Sequence, residues 1–328
     1  MRRGRCLKCK KTFTYSYFKL EFGEHYRRLN STIFSLYTKG LSKCEISRVI
    51  RHSEHLVRDR LSKIARWGLL QQSKFLQNIS ISEPIVYDGL ENFAYSQFDP
   101  NNINHAIGKE TYFTYDFNFA PINRKGKMSP RQKELKKILE AKHGKYPPSI
   151  LRTTSKRIFK RLVDNSRHKI LILHSDEHFQ YRKAIRIDLP KEVIIHQTIS
   201  SKAARNFQNP LFAVNNFDLL IRQKSAAFKR ETISFSKHSI AMVEKFVLTM
   251  IHKNYMRPIF YKKHVRDPLI HLHSPAMRLG ITKKVLSFKM FFNIRPTASQ
   301  VSLNEDWQEY YLKIDRLSRR KITANYSI

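Results

Sequence analysis

The chain has 328 residues, which is enough for one large domain together with one or two smaller ones. Its 62 Lys and Arg residues outnumber 26 Asp and Glu residues, and the formal net charge of +36 is spread along the whole chain. Hydrophobic residues make up 41%, which excludes a disordered chain, and so basic a composition predicts a polyanionic partner, with nucleic acid as the leading candidate.

Membrane association is disfavoured by the sequence. No apolar run reaches the roughly 20 residues of a membrane-spanning helix, and no basic amphipathic helix has a wide apolar face. The first residues lack the apolar segment of a secretory signal, and three cysteines are too few for a disulfide framework. We therefore expect no membrane partner and a reducing, cytoplasmic location.

Residues 1–28 predict a basic arm with part of a zinc ribbon. Cys6 and Cys9 have the spacing of one zinc knuckle, and basic and aromatic residues follow them, as in the hairpins of such ribbons. A tetrahedral site needs two more ligands, and the candidates Cys44 and His25 are poorly spaced. Bound Zn²⁺ and a pair of free thiols are both open.

Residues 29–75 predict a helix-turn-helix domain that is entirely α-helical. Apolar residues at helical spacing indicate a first helix that ends at Gly40, and Ser42 and Ser53 can cap a second and a third. In this interpretation the third helix presents polar side chains to the major groove. These are Glu54, His55, Arg58 and Arg60. The alternative is a three-helix packing unit that makes no groove contact.

Residues 80–258 predict an α/β domain, followed by a basic extension over residues 259–328 that carries no recognisable motif. A first strand is expected to end near Asp88. The next two strands are read from NINHAIG and TYFTYDFNFAPI, whose aromatic residues we assign to the core. Two helices led by Ser129 and Ser149 precede the strand KILILHSD. The helix HFQYRKAI, the strand EVIIHQ and two long helices complete the series.

This order of elements is close to that of a ribonuclease-H-like fold, with a mixed five-stranded sheet flanked by helices. The fold places one acid on the first strand, a second at the end of the fourth and a third on a later helix. Cleaving or joining a phosphodiester with two divalent ions about 4 Å apart requires such a convergence of carboxylates. Mg²⁺ takes oxygen ligands, so acids from distant segments have to meet.

Asp88 and Asp176 are the first two candidates, because each stands at the predicted end of an apolar strand. Alternatively, either is a turn residue, and Asp176 could cap the following helix. The third candidate is Asp218, with Glu231 in reserve. On one continuous helix these two would point about 220° apart, so only one could face the site. Glu177 and Glu91 are near enough to substitute for the first two acids.

Several cations are candidates for contacts with DNA phosphates. Arg222 lies one helical turn after Asp218 and could hold a phosphate or pair with that acid. His196, at the end of VIIH, faces either the site or a polar core. The remaining backbone-contact candidates are Lys202, Arg205, Lys224, Lys229 and Arg230.

The stretches YDGLENFAYSQ, HSDEHFQYRKAI and NPLFAVNNFDLLIRQKSAAFKRETISFSK resemble bacterial insertion-sequence transposases of the DDE type. The resemblance extends over about residues 5–255. Members of that family combine an N-terminal zinc ribbon, a helix-turn-helix and a ribonuclease-H-like catalytic domain. The resemblance implies that Asp88, Asp176 and Asp218 hold Mg²⁺ or Mn²⁺. It also implies that a homo-oligomer cleaves DNA and transfers strands at the terminal repeats of a mobile element.

The chain departs from the family pattern in two places. The ribbon lacks its first cysteine pair, and the third acid is Asp where Glu is usual. Two alternatives to a transposase are therefore kept open. One is a DNA-binding protein or degenerate copy whose nuclease-like domain does not cut. The other is a structure-selective nuclease that cuts without joining.

Overall fold

The computed structural model describes residues 3–229, 234–262, 267–293 and 301–314. The described strands are β1 (Arg3–Arg5), β2 (Thr12–Thr14), β3 (Ile85–Ala94), β4 (Ser96–Gly108), β5 (Thr114–Pro121), β6 (Ile170–Asp176) and β7 (Val193–Ile199). The described α-helices are α1 (Leu29–Thr38), α2 (Lys43–Ile50), α3 (Glu54–Leu76), α4 (Pro130–His143), α5 (Ile150–Asn165), α6 (Phe179–Lys183), α7 (Phe212–Lys224), α8 (Ser239–Tyr255), α9 (Pro275–Arg278), α10 (Phe288–Phe292) and α11 (Glu305–Leu312).

The chain divides into two units. One comprises the described residues up to Ile79 together with those from Glu244 to Tyr311. The other, the α/β unit, comprises Ser80–Val243 with the few described residues from Leu312 onward. The limits predicted for the arm, the helix-turn-helix, the catalytic domain and the extension stay predictions. No helix within the described ranges is both long and apolar enough to cross a membrane.

Local capping signals fix where several helices begin. Ser42 accepts a hydrogen bond from the Glu45 backbone N–H, and the Glu45 side chain returns one from the Ser42 backbone, which forms a capping box. Ser53 caps α3 and Ser129 caps α4, as their positions in the sequence predicted. The three helices predicted within residues 29–75 are thus confirmed as helices.

The first unit is held together by contacts between α3 and helices that come late in the chain. Tyr255 donates a hydrogen bond to the buried Gln72 side chain over 2.8 Å, and its ring stacks on Phe75. Gly68 allows a close approach, because a Cβ at this position would lie 1.8 Å from the tip of Ile251. The buried face of α3 is therefore taken up by packing within this unit.

The α/β unit contains the predicted mixed five-stranded sheet, in the order β5-β4-β3-β6-β7. β3, β4 and β5 pair antiparallel, whereas β6 is parallel to both β3 and β7. β3, the first strand of this sheet along the chain, therefore lies at its centre, with β4 on one side and β6 on the other. This arrangement is compatible with a ribonuclease-H-like fold.

Helices cover both faces of the central strands. On one face, Tyr87 of β3 is hydrogen-bonded to Ser155 of α5 over 2.8 Å. Successive side chains of a strand point to opposite faces, so the neighbouring Asp88 points away from α5. On that second face α7 packs on β3 and β4. Every residue of β5 is buried, which confirms that its Tyr and Phe residues belong to the core.

One expectation about the end of a strand was wrong. The first strand does not end near Asp88. Asp88 is the fourth residue of β3, which continues to Ala94 because its pairing with β4 extends beyond that point. The helix carrying Asp218 ends at Lys224 and is followed by a short 3₁₀ turn at Ala226–Phe228, so it does not continue toward Glu231.

Candidate acidic site on the α/β sheet

The register of the sheet brings two of the predicted acids side by side. Tyr87 of β3 pairs with Ser175 of β6 in parallel, and Asp88 and Asp176 are the next residue on each strand. Because neighbouring residues of paired strands share a face, both carboxyl groups belong to the face opposite α5. The second acid stands at the end of β6, as predicted from the apolar run before it.

Asp218 reaches the same face from α7, where it contacts a histidine that the sequence analysis did not select. The Nε2 atom of His105 lies 3.1 Å from Oδ1 of Asp218. His105 belongs to β4, and its register partner on β3 is Asp88. Asp88, His105 and Asp218 are therefore neighbours on one face of the sheet.

His105 is held rigidly. Its ring is fully buried and packs edge-on against Phe217, with 5.7 Å between ring centroids and 82° between planes. Its Nδ1 lies 3.0 Å from the Ile103 carbonyl, which can only accept, so Nδ1 donates. Its Nε2 faces the Asp218 carboxyl group, at 3.1 Å from Oδ1.

The electrostatics of the site couple these groups. Burial, followed by the nearby Asp218 and Asp176 carboxylates, raises the pKa of Asp88 to about 7. The Gly89 backbone N–H, which donates to Asp88 over 2.7 Å, acts in the opposite direction. Burial lowers the pKa of His105, but the nearby Asp218, the Ile103 carbonyl and Asp88 together outweigh burial, so the net pKa is raised. The site accumulates negative charge that a cation would relieve.

A cavity of about 630 Å³ opens beside two of the acids. Asp88 and Asp176 line it together with Glu91, and the cations Lys125 and Arg205 line it as well. It therefore offers carboxylates and cations to the same bound molecule.

Asp176 does not act as the helix cap that was considered for it. Its Oδ1 accepts the His178 backbone N–H over 3.0 Å, which fixes the turn after β6. The N-cap of α6 is His178, whose Nδ1 accepts from Gln180. The other carboxyl oxygen of Asp176 is not used in this turn.

The possible ligand atoms of the site are carboxylate oxygens, which are ligands that Mg²⁺ and Mn²⁺ prefer. Within the described residues, however, no three side chains of His, Cys, Asp or Glu lie close enough to hold a metal ion as they stand.

Cys6 and Cys9 lie in the turn between β1 and β2. The Cys9 backbone N–H lies 3.5 Å from the Cys6 sulfur, and this donor in particular lowers the pKa of the Cys6 thiol. Cys44 instead lies 3.3 Å from a carboxyl oxygen of Glu54, its hydrogen-bond acceptor. The turn favours a thiolate at Cys6, and zinc binding stays a prediction.

The reserve acids and the predicted phosphate contacts fall into different settings. Glu177 is exposed on the turn after β6. Glu231 and Arg230 lie outside the described residues. Arg205 lines the cavity, and Lys202 and Lys229 are exposed, while Arg222 and Lys224 are partly exposed on α7.

His196 takes neither of its two predicted settings, because it is only half-buried and lies on the face of the sheet away from the acids. Its Nε2 lies 2.8 Å from the hydroxyl of Ser175, in a hydrogen bond. Strand alternation places Ser175 and Asp176 on opposite faces of the sheet, so His196 is not among the acids. Burial, more than the nearby Arg182 and Arg186, lowers the pKa of His196.

On α3, the residues predicted to face DNA do not share one environment. His55 and Arg58 are exposed near Asp59, at 3.0 and 3.8 Å from its carboxyl oxygens. Arg60 instead forms an ion pair with Glu24, whose side chain is only 4% exposed. Lys63 contacts the same carboxylate. The exposed surface of α3 thus includes His55 and Arg58, while Arg60 is used in packing.

His105 is the site residue that the sequence analysis missed. A single histidine in NINHAIG carries no spacing signal, because its partners come from β3 and from α7, far along the chain. Comparison with known proteins adds no further candidate. No protein-family model matches the chain, and no curated protein matches it.

Proposed function

We propose that this chain is a DNA transposase of the DDE type, which performs Mg²⁺- or Mn²⁺-dependent phosphodiester cleavage and strand transfer at the ends of a mobile element. The observation that carries the proposal is the position of Asp88, Asp176 and Asp218 on one face of a β5-β4-β3-β6-β7 sheet. The ribonuclease-H-like identity of this sheet and the helix-turn-helix identity of α1–α3 are parts of the same proposal.

The three carboxylates are the proposed ligands. When bound, the ions supply activation of the attacking oxygen and stabilisation of the leaving oxygen. Asp88 resists ionisation without a cation, because burial and two neighbouring carboxylates raise its pKa to about 7. In cleavage, water adds across one P–O bond, and in strand transfer a DNA hydroxyl takes the place of water.

Basic residues would hold the DNA. Arg205 and Lys125 line the acidic cavity and are placed to bind phosphates next to the bond that breaks. In the other unit, His55 and Arg58 on α3 are the proposed contacts in the major groove. A homo-oligomer and a cytoplasmic, nucleoid-associated location belong to this proposal through the family resemblance.

The test is a cleavage assay on DNA duplexes taken from either side of the gene for this chain. Asp88→Ala, Asp176→Ala and Asp218→Ala are compared with wild type in Mn²⁺ and in EDTA. Asp164→Ala serves as the control, because Asp164 is an exposed acid near the far end of α5 from the cavity. DNA affinity is measured for every variant by fluorescence anisotropy.

Metal-dependent cleavage that the three site variants lose and the control keeps, with unchanged DNA affinity, would support the proposal. Tight DNA binding by wild type without any cleavage would support the alternative, a DNA-binding protein or degenerate copy. Cleavage without joining would identify a nuclease.

A further inference from the structure

His105 and Asp218 form a buried pair whose geometry limits what Asp218 can offer to a ligand. Nε2 of His105 lies 3.1 Å from Oδ1 of Asp218, and the His105 ring has no exposed surface. The Asp218 side chain itself is 16% exposed. Oδ1 of Asp218 is therefore buried against His105, which leaves Oδ2 as the carboxyl oxygen that a ligand could reach.

The orientation of the histidine is set by contacts on its other sides. The Ile103 carbonyl fixes Nδ1 at 3.0 Å, and the edge of Phe217 fixes the plane of the ring. Phe217 precedes Asp218 on α7, so the helix that carries the acid also packs against the histidine. The ring thus cannot turn away without breaking two contacts, and it holds the carboxylate in one orientation.

We propose that His105 is a positioning residue for Asp218, which it holds through Oδ1 so that Asp218 presents only Oδ2 to a divalent cation. This inference rests on the proposed function, because it assigns a task within the same metal site. His105 itself is not a proposed ligand, since its Nε2 faces Oδ1 of Asp218 and its Nδ1 donates to the Ile103 carbonyl. Groups that orient metal ligands affect affinity by about 10- to 100-fold when removed.

Two substitutions separate the hydrogen bond from the packing. His105→Phe keeps a ring against Phe217 but removes both donors. His105→Gln keeps an N–H donor that can reach toward the position of Nε2. Mn²⁺ affinity is measured on the full-length protein by isothermal titration calorimetry, with electron paramagnetic resonance to count bound Mn²⁺. Circular dichroism melts without metal report whether each variant is folded.

We expect His105→Phe to weaken Mn²⁺ binding by about 10- to 100-fold and His105→Gln to recover most of that loss. In an Asp218→Asn background, His105→Phe should have no further effect, because the group that it positions is already gone. A purely structural role would lower the melting temperature without this dependence on Asp218.

Failure of this inference can be told apart from failure of the proposed function. If wild type binds Mn²⁺ in a manner that Asp88→Asn abolishes, but folded His105→Phe binds it equally well, the positioning role is overturned and the metal site stands. Equal losses in His105→Phe and His105→Gln would also overturn the hydrogen-bond role. If wild type shows no Mn²⁺ binding that depends on Asp88, the proposed function itself is wrong.

Discussion

Replacing Asp88 by Asn should stabilise the metal-free protein at neutral and alkaline pH. Asn keeps an oxygen that can accept the Gly89 N–H but carries no charge. In the folded protein the Asp88 pKa is raised to about 7 from 3.8, through burial and then through Asp218 and Asp176. One pKa unit corresponds to about 1.4 kcal/mol, so ionised Asp88 lowers the free energy of unfolding by up to about 4 kcal/mol.

The sign follows from the direction of the shift. Below about pH 4 the carboxyl group is protonated in both the folded and the unfolded states, so it does not affect stability. As the pH rises toward about 7, the unfolded chain ionises first and is favoured. Above that pH both states are ionised and the destabilisation is constant. The advantage of Asp88→Asn over wild type should therefore grow between these two pH values and then level off.

The measurement is urea denaturation at several pH values without divalent metal, followed by far-ultraviolet circular dichroism. Tryptophan fluorescence is unsuitable, because Trp67 and Trp307 both belong to the other unit. Asp164→Asn is the matched control, since it removes an exposed carboxyl group from the same unit. If the stability difference between Asp88→Asn and wild type does not change with pH, the ionisation of Asp88 does not destabilise the folded protein.

Four further predictions concern packing, charge and metal binding. Arg60→Ala should lower the free energy of unfolding by about 2 kcal/mol in urea titrations, because it removes a charged partner from buried Glu24. Arg58→Ala should instead leave stability unchanged and weaken DNA binding in anisotropy titrations, and the reverse pattern would contradict the assignment of α3. Glu83→Ala should destabilise the α/β unit by about 3 kcal/mol, more than Glu83→Gln, because Glu83 accepts two backbone N–H groups and the Tyr115 hydroxyl. In calorimetry, wild-type Mn²⁺ affinity should rise up to about pH 7 and then level off, since the ion displaces a proton from the buried aspartate; a flat profile would contradict this.

The fold was predictable where the signals are local. Three helices begin directly after a serine that caps them, namely Ser42, Ser53 and Ser129. An N-cap depends on residues within one helical turn, so the sequence alone indicates it. The alternation of apolar strands with helical segments gave the five strands of the sheet in their chain order. The apolar run before Asp176 likewise placed this residue at the end of its strand.

The rest depends on contacts between distant parts of the chain. Asp88-Gly89 reads as the end of a strand, yet the pairing of β3 with β4 continues past it. The sequence does not distinguish Arg60 from its exposed neighbours, because its ion-pair partner Glu24 comes close only in the folded chain. His105 acquires its importance only from Asp218, which lies far along the sequence. Helix geometry left Asp218 and Glu231 open as the third acid, and the contact with His105 now gives Asp218 a defined environment.

The central claim is that Asp88, Asp176 and Asp218 together hold divalent cations. The most direct test is a crystal structure of the wild-type protein grown with Mn²⁺, with data recorded so that manganese gives an anomalous signal. We expect anomalous peaks that lie about 2.0–2.4 Å from carboxylate oxygens of these three residues, the usual distance between such ions and their oxygen ligands. Full occupancy elsewhere on the protein, with no peak at these acids, would contradict it.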